Sequence, residues 1–156
     1  MSAVDQMVCF SLYSASRATT RAYSTLLEPW SLSYPQYLAL VVLWVEGDQS
    51  VNQMGEALQL DSGTLSPLLK RLEEKGLIER RRGDRDQRVV VVSPTARASE
   101  LREELAHIPE AIARGMGLPS IEAAHRLVEA LHRLTEGMDD VRDSAQASAR
   151  QKEGTR

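Results

Sequence analysis

Three features of the sequence predict a mainly α-helical chain with one small β-hairpin. Apolar residues recur at helical spacing over most of the 156 residues. Two capped segments, one opened by Ser50-x-x-Gln53 and the next by Asp61 or Ser62, are separated only by a tight turn at Gln59 and Leu60. Two short apolar runs then flank a polar tip, RRRGDRDQR at residues 80–88, which is the pattern of a hairpin. Helix, tight turn, helix and hairpin, in that order, make a winged helix-turn-helix.

The elements follow in order. Residues 6–27 place Cys9, Leu12, Tyr13, Ser16, Thr20, Tyr23 and Leu27 roughly along one helical stripe, and Pro29 ends it. The second helix opens on Ser33-x-x-Gln36, with Pro35 in the first turn where its missing N–H costs nothing. It runs through a strongly apolar stretch to Val45, as a buried core helix does, and Gly47 and Asp48 break it. The third carries Val51, Met54, Ala57 and Leu58 inward.

The fourth helix ends at Lys75, with Gly76 as a natural C′ residue. Leu65, Leu68, Leu69 and Leu72 form its inner face, which leaves Ser62, Thr64, Ser66, Lys70 and Arg71 outside. Pro67 removes one backbone donor inside it and implies a local bend. The hairpin occupies residues 77–81 and 89–92, and one further helix is expected from 94 or 95 to about 116. The last, about 120–138, puts Ile121, Ala124, Leu127, Val128, Leu131, Leu134 and Met138 on one stripe. After Val141 there is little to bury, so residues 142–156 are expected to fray as a disordered tail.

Length allows one domain. The longest apolar run, residues 38–45, is far too short to cross a bilayer, and residues 1–10 show no secretion signal. One cysteine cannot form an internal disulfide, so the chain reads as cytoplasmic, with no membrane partner. A net charge of −3 argues against nucleic acid in bulk, but residues 80–88 set five arginines against two aspartates. A basic tip on an acidic body is compatible with double-stranded DNA.

No G-x-S-x-G, P-loop or H-E-x-x-H pattern occurs, so an ordinary enzyme is not expected. His125, Glu129 and His132 fall near one face of the last helix but lack tight ligand spacing, so neither a metal nor another cofactor is expected. His107 reads as a surface residue, and Trp30 and Trp44 as packing residues.

The DNA chemistry follows from position. Ser62, Thr64, Ser66, Lys70 and Arg71 offer hydroxyls and cations where base edges in a major groove are read. Arg82, Arg85 and Arg88 on the wing can reach phosphates or a minor groove, while Asp84 pairs with a wing arginine to hold its shape.

Residues 50–92 resemble the MarR family of regulators. The segment Leu58-Gln59-Leu60-Asp61-Ser62-Gly63-Thr64-Leu65-Ser66-Pro67-Leu68-Leu69-Lys70-Arg71-Leu72-Glu73 is similar to the recognition helix of its organic hydroperoxide regulators. Asp84-Arg85-Asp86-Gln87-Arg88 matches the family's D-x-R wing pattern. Cys9-Phe10-x-Leu12-Tyr13 and Tyr34-Pro35-Gln36-Tyr37-Leu38 match the same subgroup. The resemblance implies an obligate homodimer held by residues of about 5–30 and 94–140, with a DNA-binding lobe over about 34–92 reading a palindromic operator.

It also implies a reactive thiol at Cys9, hydrogen-bonded by Tyr23 and Tyr34 of the partner, with Tyr13 lining the same pocket. Cys9 and Tyr23 share a face but stand about 21 Å apart along one helix, at about 1.5 Å per residue. Only a second helix crossing in the opposite sense brings them together. The resemblance makes an organic hydroperoxide the effector and sulfenic acid the first product. With no second cysteine, a small cellular thiol caps it, as in the one-cysteine subclass. Tyr13 and Tyr37 also fit as simple core aromatics. Two rivals stand beside this reading: a repressor released by reversible binding of a phenolic or aromatic molecule, with Cys9 structural, and a thiol peroxidase.

Overall fold

The computed structural model describes residues 3–83 and 87–153, in two compact units, residues 1–112 and 113–156. The first unit begins with α1 (Val8–Leu27), followed by a short 3₁₀ turn over Glu28–Trp30 that has Pro29 in its first turn. Ser31 then adopts a left-handed φ of 52° and turns the chain into α2 (Tyr34–Glu46). The cap of α2 is a closed box: the Ser33 hydroxyl accepts from the Gln36 N–H, and the Gln36 carboxamide accepts from the Ser33 N–H. Ala39, Leu40 and Leu43 are fully buried, as the apolar run requires.

A two-residue strand, β1 (Gln49–Ser50), leads into α3 (Val51–Leu58), whose Ser50 and Gln53 repeat the same box. Gln59 at φ 54° makes the tight turn to α4 (Ser62–Glu74). Gly55 permits that turn: a Cβ there would stand 3.1 Å from the Leu60 carbonyl oxygen, and the Leu60 N–H donates back to the Gly55 carbonyl. β2 (Ile78–Arg82) and β3 (Val90–Pro94) form the wing. Then come α5 (Ala96–Glu104), α6 (His107–Met116), which runs across the division between the units, and α7 (Ile121–Glu153) in the second unit.

The core of the first unit gathers residues from each helix, from β2 and from the turn after α5: Leu27, Leu40, Leu43, Met54, Leu65, Leu69, Leu72, Ile78, Leu101, Leu105 and Ile108. Each such side chain contributes about 1.5–3 kcal/mol of transfer free energy. Leu65, Leu68, Leu69 and Leu72 all being buried fixes the roll of α4 about its axis. Its opposite face must therefore be presented to solvent. Trp44 Nε1 donates to the Ala98 carbonyl at 3.0 Å, and Trp30 Nε1 to the Glu104 carboxylate at 2.7 Å. Both tryptophans thus pin α5 as well as packing.

Three expectations are corrected. The sheet has three antiparallel strands in the order β1-β3-β2, with Gln49 opposite Val92 and Ile78 opposite Pro94, where a two-stranded hairpin was expected. The segment after the wing is two helices, with the break at Leu105 and Ala106 just ahead of Pro109, whose ring would crowd the Leu105 carbonyl if the helix ran straight through. In the first turn of α6 that proline is harmless. Finally, the helix persists beyond Val141 to Glu153, so residues 142–153 of the tail expected to fray are helical, and the rest of it lies outside the described residues.

Candidate redox site and DNA-reading face

Cys9 is the second residue of α1 and is exposed. The helix opens at Met7 with no side-chain cap and no acidic residue in its first turn. The backbone N–H groups there keep their partial positive charge, which suits an anion at the sulfur.

The tyrosines divide into two groups. Tyr23 and Tyr34 stack with ring centroids 4.1 Å apart and planes 22° from parallel, and Tyr37 tilts against Tyr23 at 5.6 Å. Tyr37 meets Trp44 edge-on at 6.1 Å. Burial raises the pKa of all three phenols, and the neighbouring rings raise Tyr23 and Tyr37 further. Each therefore holds its proton well above neutral pH and stays a hydrogen-bond donor. A wall of neutral phenol donors is what a thiolate or a peroxide oxygen needs.

Tyr13 is separate. It is exposed on α1, one turn after Cys9, and its hydroxyl accepts from Arg17 Nη1 at 2.9 Å. The structure thus brings Tyr23 and Tyr34 together and leaves Cys9 and Tyr13 toward the other end of α1. Tyr37, which the sequence offered as a simple core aromatic, is buried and also tilts against Tyr23 in the aromatic wall.

On the DNA-reading face, Asp61 caps α4: its carboxylate accepts from the Thr64 N–H at 2.9 Å and from the Thr64 hydroxyl at 3.0 Å. Those bonds hold the Asp61 carboxyl below its ordinary pKa. Gly63 makes room for this cap, since a Cβ there would stand 3.0 Å from Asp61 Oδ1. Ser62, Thr64, Ser66, Lys70 and Arg71 are all exposed. Thr64 has already used its proton on the cap, so toward a base it is an acceptor. Lys70 lies 3.8 Å from Glu74 in a pair that is mostly solvated.

The Gly83 N–H donates to the Val89 carbonyl at 2.8 Å across the base of the wing tip, and Arg82 and Arg88 are exposed on either side. Asp84 and Arg85 lie outside the described residues. Two other arginines of the tract, overlooked in the sequence reading, are engaged inside the lobe: Arg80 with Glu73, and Arg81 with Asp48 at 2.7 Å. Only the sequence distance between partners hid them.

Comparison with known proteins gives concordant results. The model of the MarR family matches residues 32–90. An organic hydroperoxide resistance transcriptional regulator of Bacillus subtilis (strain 168) is 46% identical over 109 residues, covering 70% of this chain and 74% of that protein. The structure of reduced AbfR bound to DNA is similar at a TM-score of 0.71 and 32% identity, covering 86% of this chain and 94% of that one. The crystal structure of AbfR of Staphylococcus epidermidis aligns at a TM-score of 0.74 and 28% identity, over 88% and 94% of the two chains.

Proposed function

The chain belongs to the MarR family, and from that premise we propose a homodimeric, redox-sensing repressor that releases its operator when Cys9 is oxidised by an organic hydroperoxide. It is a DNA-binding regulator and not an enzyme. Reversible release by a phenolic ligand is the less favoured reading, given the 46% identity to a hydroperoxide regulator. Among the described residues, no helix is long and apolar enough to cross a membrane.

The observation that carries the reading is the pairing of two features: a thiol at an uncapped helix start and a stacked pair of neutral phenols, Tyr23 and Tyr34. In the reduced dimer the partner's phenols donate to the sulfur. The Cys9 thiolate attacks the outer peroxide oxygen, the O–O bond breaks, and the alkoxide leaves as the alcohol after taking a proton. The sulfur is left as sulfenic acid. A small thiol then displaces water from it to give a mixed disulfide. The added bulk separates sulfur from phenols and changes the distance between the two recognition helices, which must match major grooves about 34 Å apart.

For DNA, α4 enters the major groove with Ser62, Thr64 and Ser66 toward base edges, and Lys70 and Arg71 toward the backbone. Arg82, Arg85 and Arg88 serve the wing's contacts, with Asp84 shaping the tip. The test is binding to a duplex from the chain's own upstream region, with wild type and Cys9→Ser, before and after an organic hydroperoxide. Wild type releases and the serine variant does not. Release by both removes Cys9 from the switch and returns the ligand-released reading.

A further inference from the structure

α4 and the wing are joined through a short backbone connection that contains Gly76 at a φ of 67°. Around it, the Leu77 N–H donates to Leu72 and the Thr95 hydroxyl donates to the Gly76 carbonyl at 2.7 Å. The base of the wing is also held by Ile78 and Val92 in the core and by the pairing of β3 with β1, while residues 79–82 of β2 are exposed. A further attachment, from that exposed part of β2 to the recognition helix, would set the angle between the two.

The structure has one. Successive residues of a strand point to opposite faces, so Arg80 and Arg81 of β2 diverge. Arg80 turns to the recognition helix, where Nε donates to Glu73 Oε2 at 2.9 Å and Nη2 donates to the same oxygen. Arg81 turns the other way, to Asp48 beside β1. Strand β2 is thus held on both faces, and Glu73 sits in the last turn of the helix that carries the candidate base-reading residues.

The two ion pairs on α4 differ in kind. Lys70 and Glu74 are 69% and 61% exposed, whereas Arg80 and Glu73 are 31% and 37% exposed. The first is a solvated surface pair of little consequence. The second is partly shielded and made by two guanidinium N–H groups, which gives it direction as well as charge.

We propose that Glu73 is a positioning residue for operator recognition: by gripping Arg80 it acts as a strut that fixes the wing's inclination to the recognition helix. Wing contacts and major-groove contacts then fall at one set distance, and only DNA that offers both at that distance is bound fully. This rests on the DNA-binding reading above, and it assigns Arg80 to internal geometry, apart from the arginines that meet the backbone.

The experiment uses the reduced full-length dimer and two labelled duplexes of equal length and base composition, one from the chain's own upstream region and one of random sequence. In Glu73→Gln the preference for the upstream duplex falls by about tenfold, on the scale of one lost base-pair discrimination, while the random duplex is bound no more weakly. The charge-exchanged double variant, Glu73→Arg with Arg80→Glu, recovers most of the preference, which a general loss of stability would not allow. An unchanged preference in Glu73→Gln overturns the strut, as does equal weakening on both duplexes or an exchange variant no better than the single one. Wild-type protein with no preference for the upstream duplex would instead remove the regulator reading, and the strut with it.

Discussion

Cys9 and the phenols that serve it are chemically simple and positionally demanding. The sulfur stands at the start of α1 and Tyr23 about 21 Å along the same helix, with Tyr34 stacked on it from α2, so the proposed contact with the sulfur needs a second copy. Each phenol's raised pKa keeps it a donor, and in the proposed dimer removing one hydroxyl removes one hydrogen bond to the sulfur anion. Tyr23→Phe or Tyr34→Phe should therefore slow oxidation by an organic hydroperoxide by roughly 10- to 100-fold, the worth of a charge-assisted hydrogen bond. Stopped-flow consumption of the thiol measures this, and DNA affinity of the reduced protein should hardly change. The roles proposed for Cys9, Tyr23 and Tyr34 come from their resemblance to a known pattern, and the stacking of the two tyrosines was not itself readable from it. The partners of Arg80, Arg81 and the Tyr13 hydroxyl were not readable either, because side-chain pairing depends on how elements pack and leaves no periodic trace.

At the scale of elements, the recognition helix is built from a cap, a glycine and four leucines. Leu69 is 1% exposed, and Leu69→Ala should cost about 2–5 kcal/mol in urea unfolding, since the cavity it leaves lies in the centre of the lobe. The Asp61 cap carries a pH signature. Bonds from the Thr64 N–H and hydroxyl lower its folded pKa below the ordinary 3.8, so its contribution is present above that value and fades as pH falls through the lowered one. Asp61→Ala should accordingly melt earlier than wild type at pH 7, with the difference closing below about pH 4. A gap that does not narrow as the pH is taken down from 7 through the acid range would mean the carboxylate's charge is not what the helix uses. Caps of this sort were readable because they are local: Ser33, Ser50 and Asp61 each announce the helix that follows. Strand β1 was not, since two residues have no period, and its existence depends on Val91 and Val92 arriving alongside. Pro109 did signal the break between α5 and α6, but the helical pattern on either side concealed it.

For the whole molecule, the exposed apolar surface points to assembly. On α7 alone, Leu127, Val128, Leu131, Leu134 and Met138 are between 37% and 56% exposed, a stripe that a solitary chain would leave in water. We propose that the homodimer covers this stripe, with operator binding using both lobes. Leu127→Glu with Leu134→Glu should shift the protein toward monomer in sedimentation velocity and abolish binding to the upstream duplex, while leaving the first unit folded. A dimer that survives both charges would place the interface elsewhere. The winged fold and the dimer were visible from sequence, but the length of α7 was not: beyond Val141 the residues are polar, and burial is the signal that sequence patterns report.

Whether oxidation of one cysteine and release of DNA are the same event can be read in a single titration. Reduced dimer bound to a fluorescent upstream duplex is titrated with an organic hydroperoxide in the presence of a small thiol, following anisotropy and the intact mass of the chain together. Release should end at one equivalent per subunit and track the mass of the thiol adduct at Cys9. Complete adduct formation with the DNA still bound would contradict the switch at its centre.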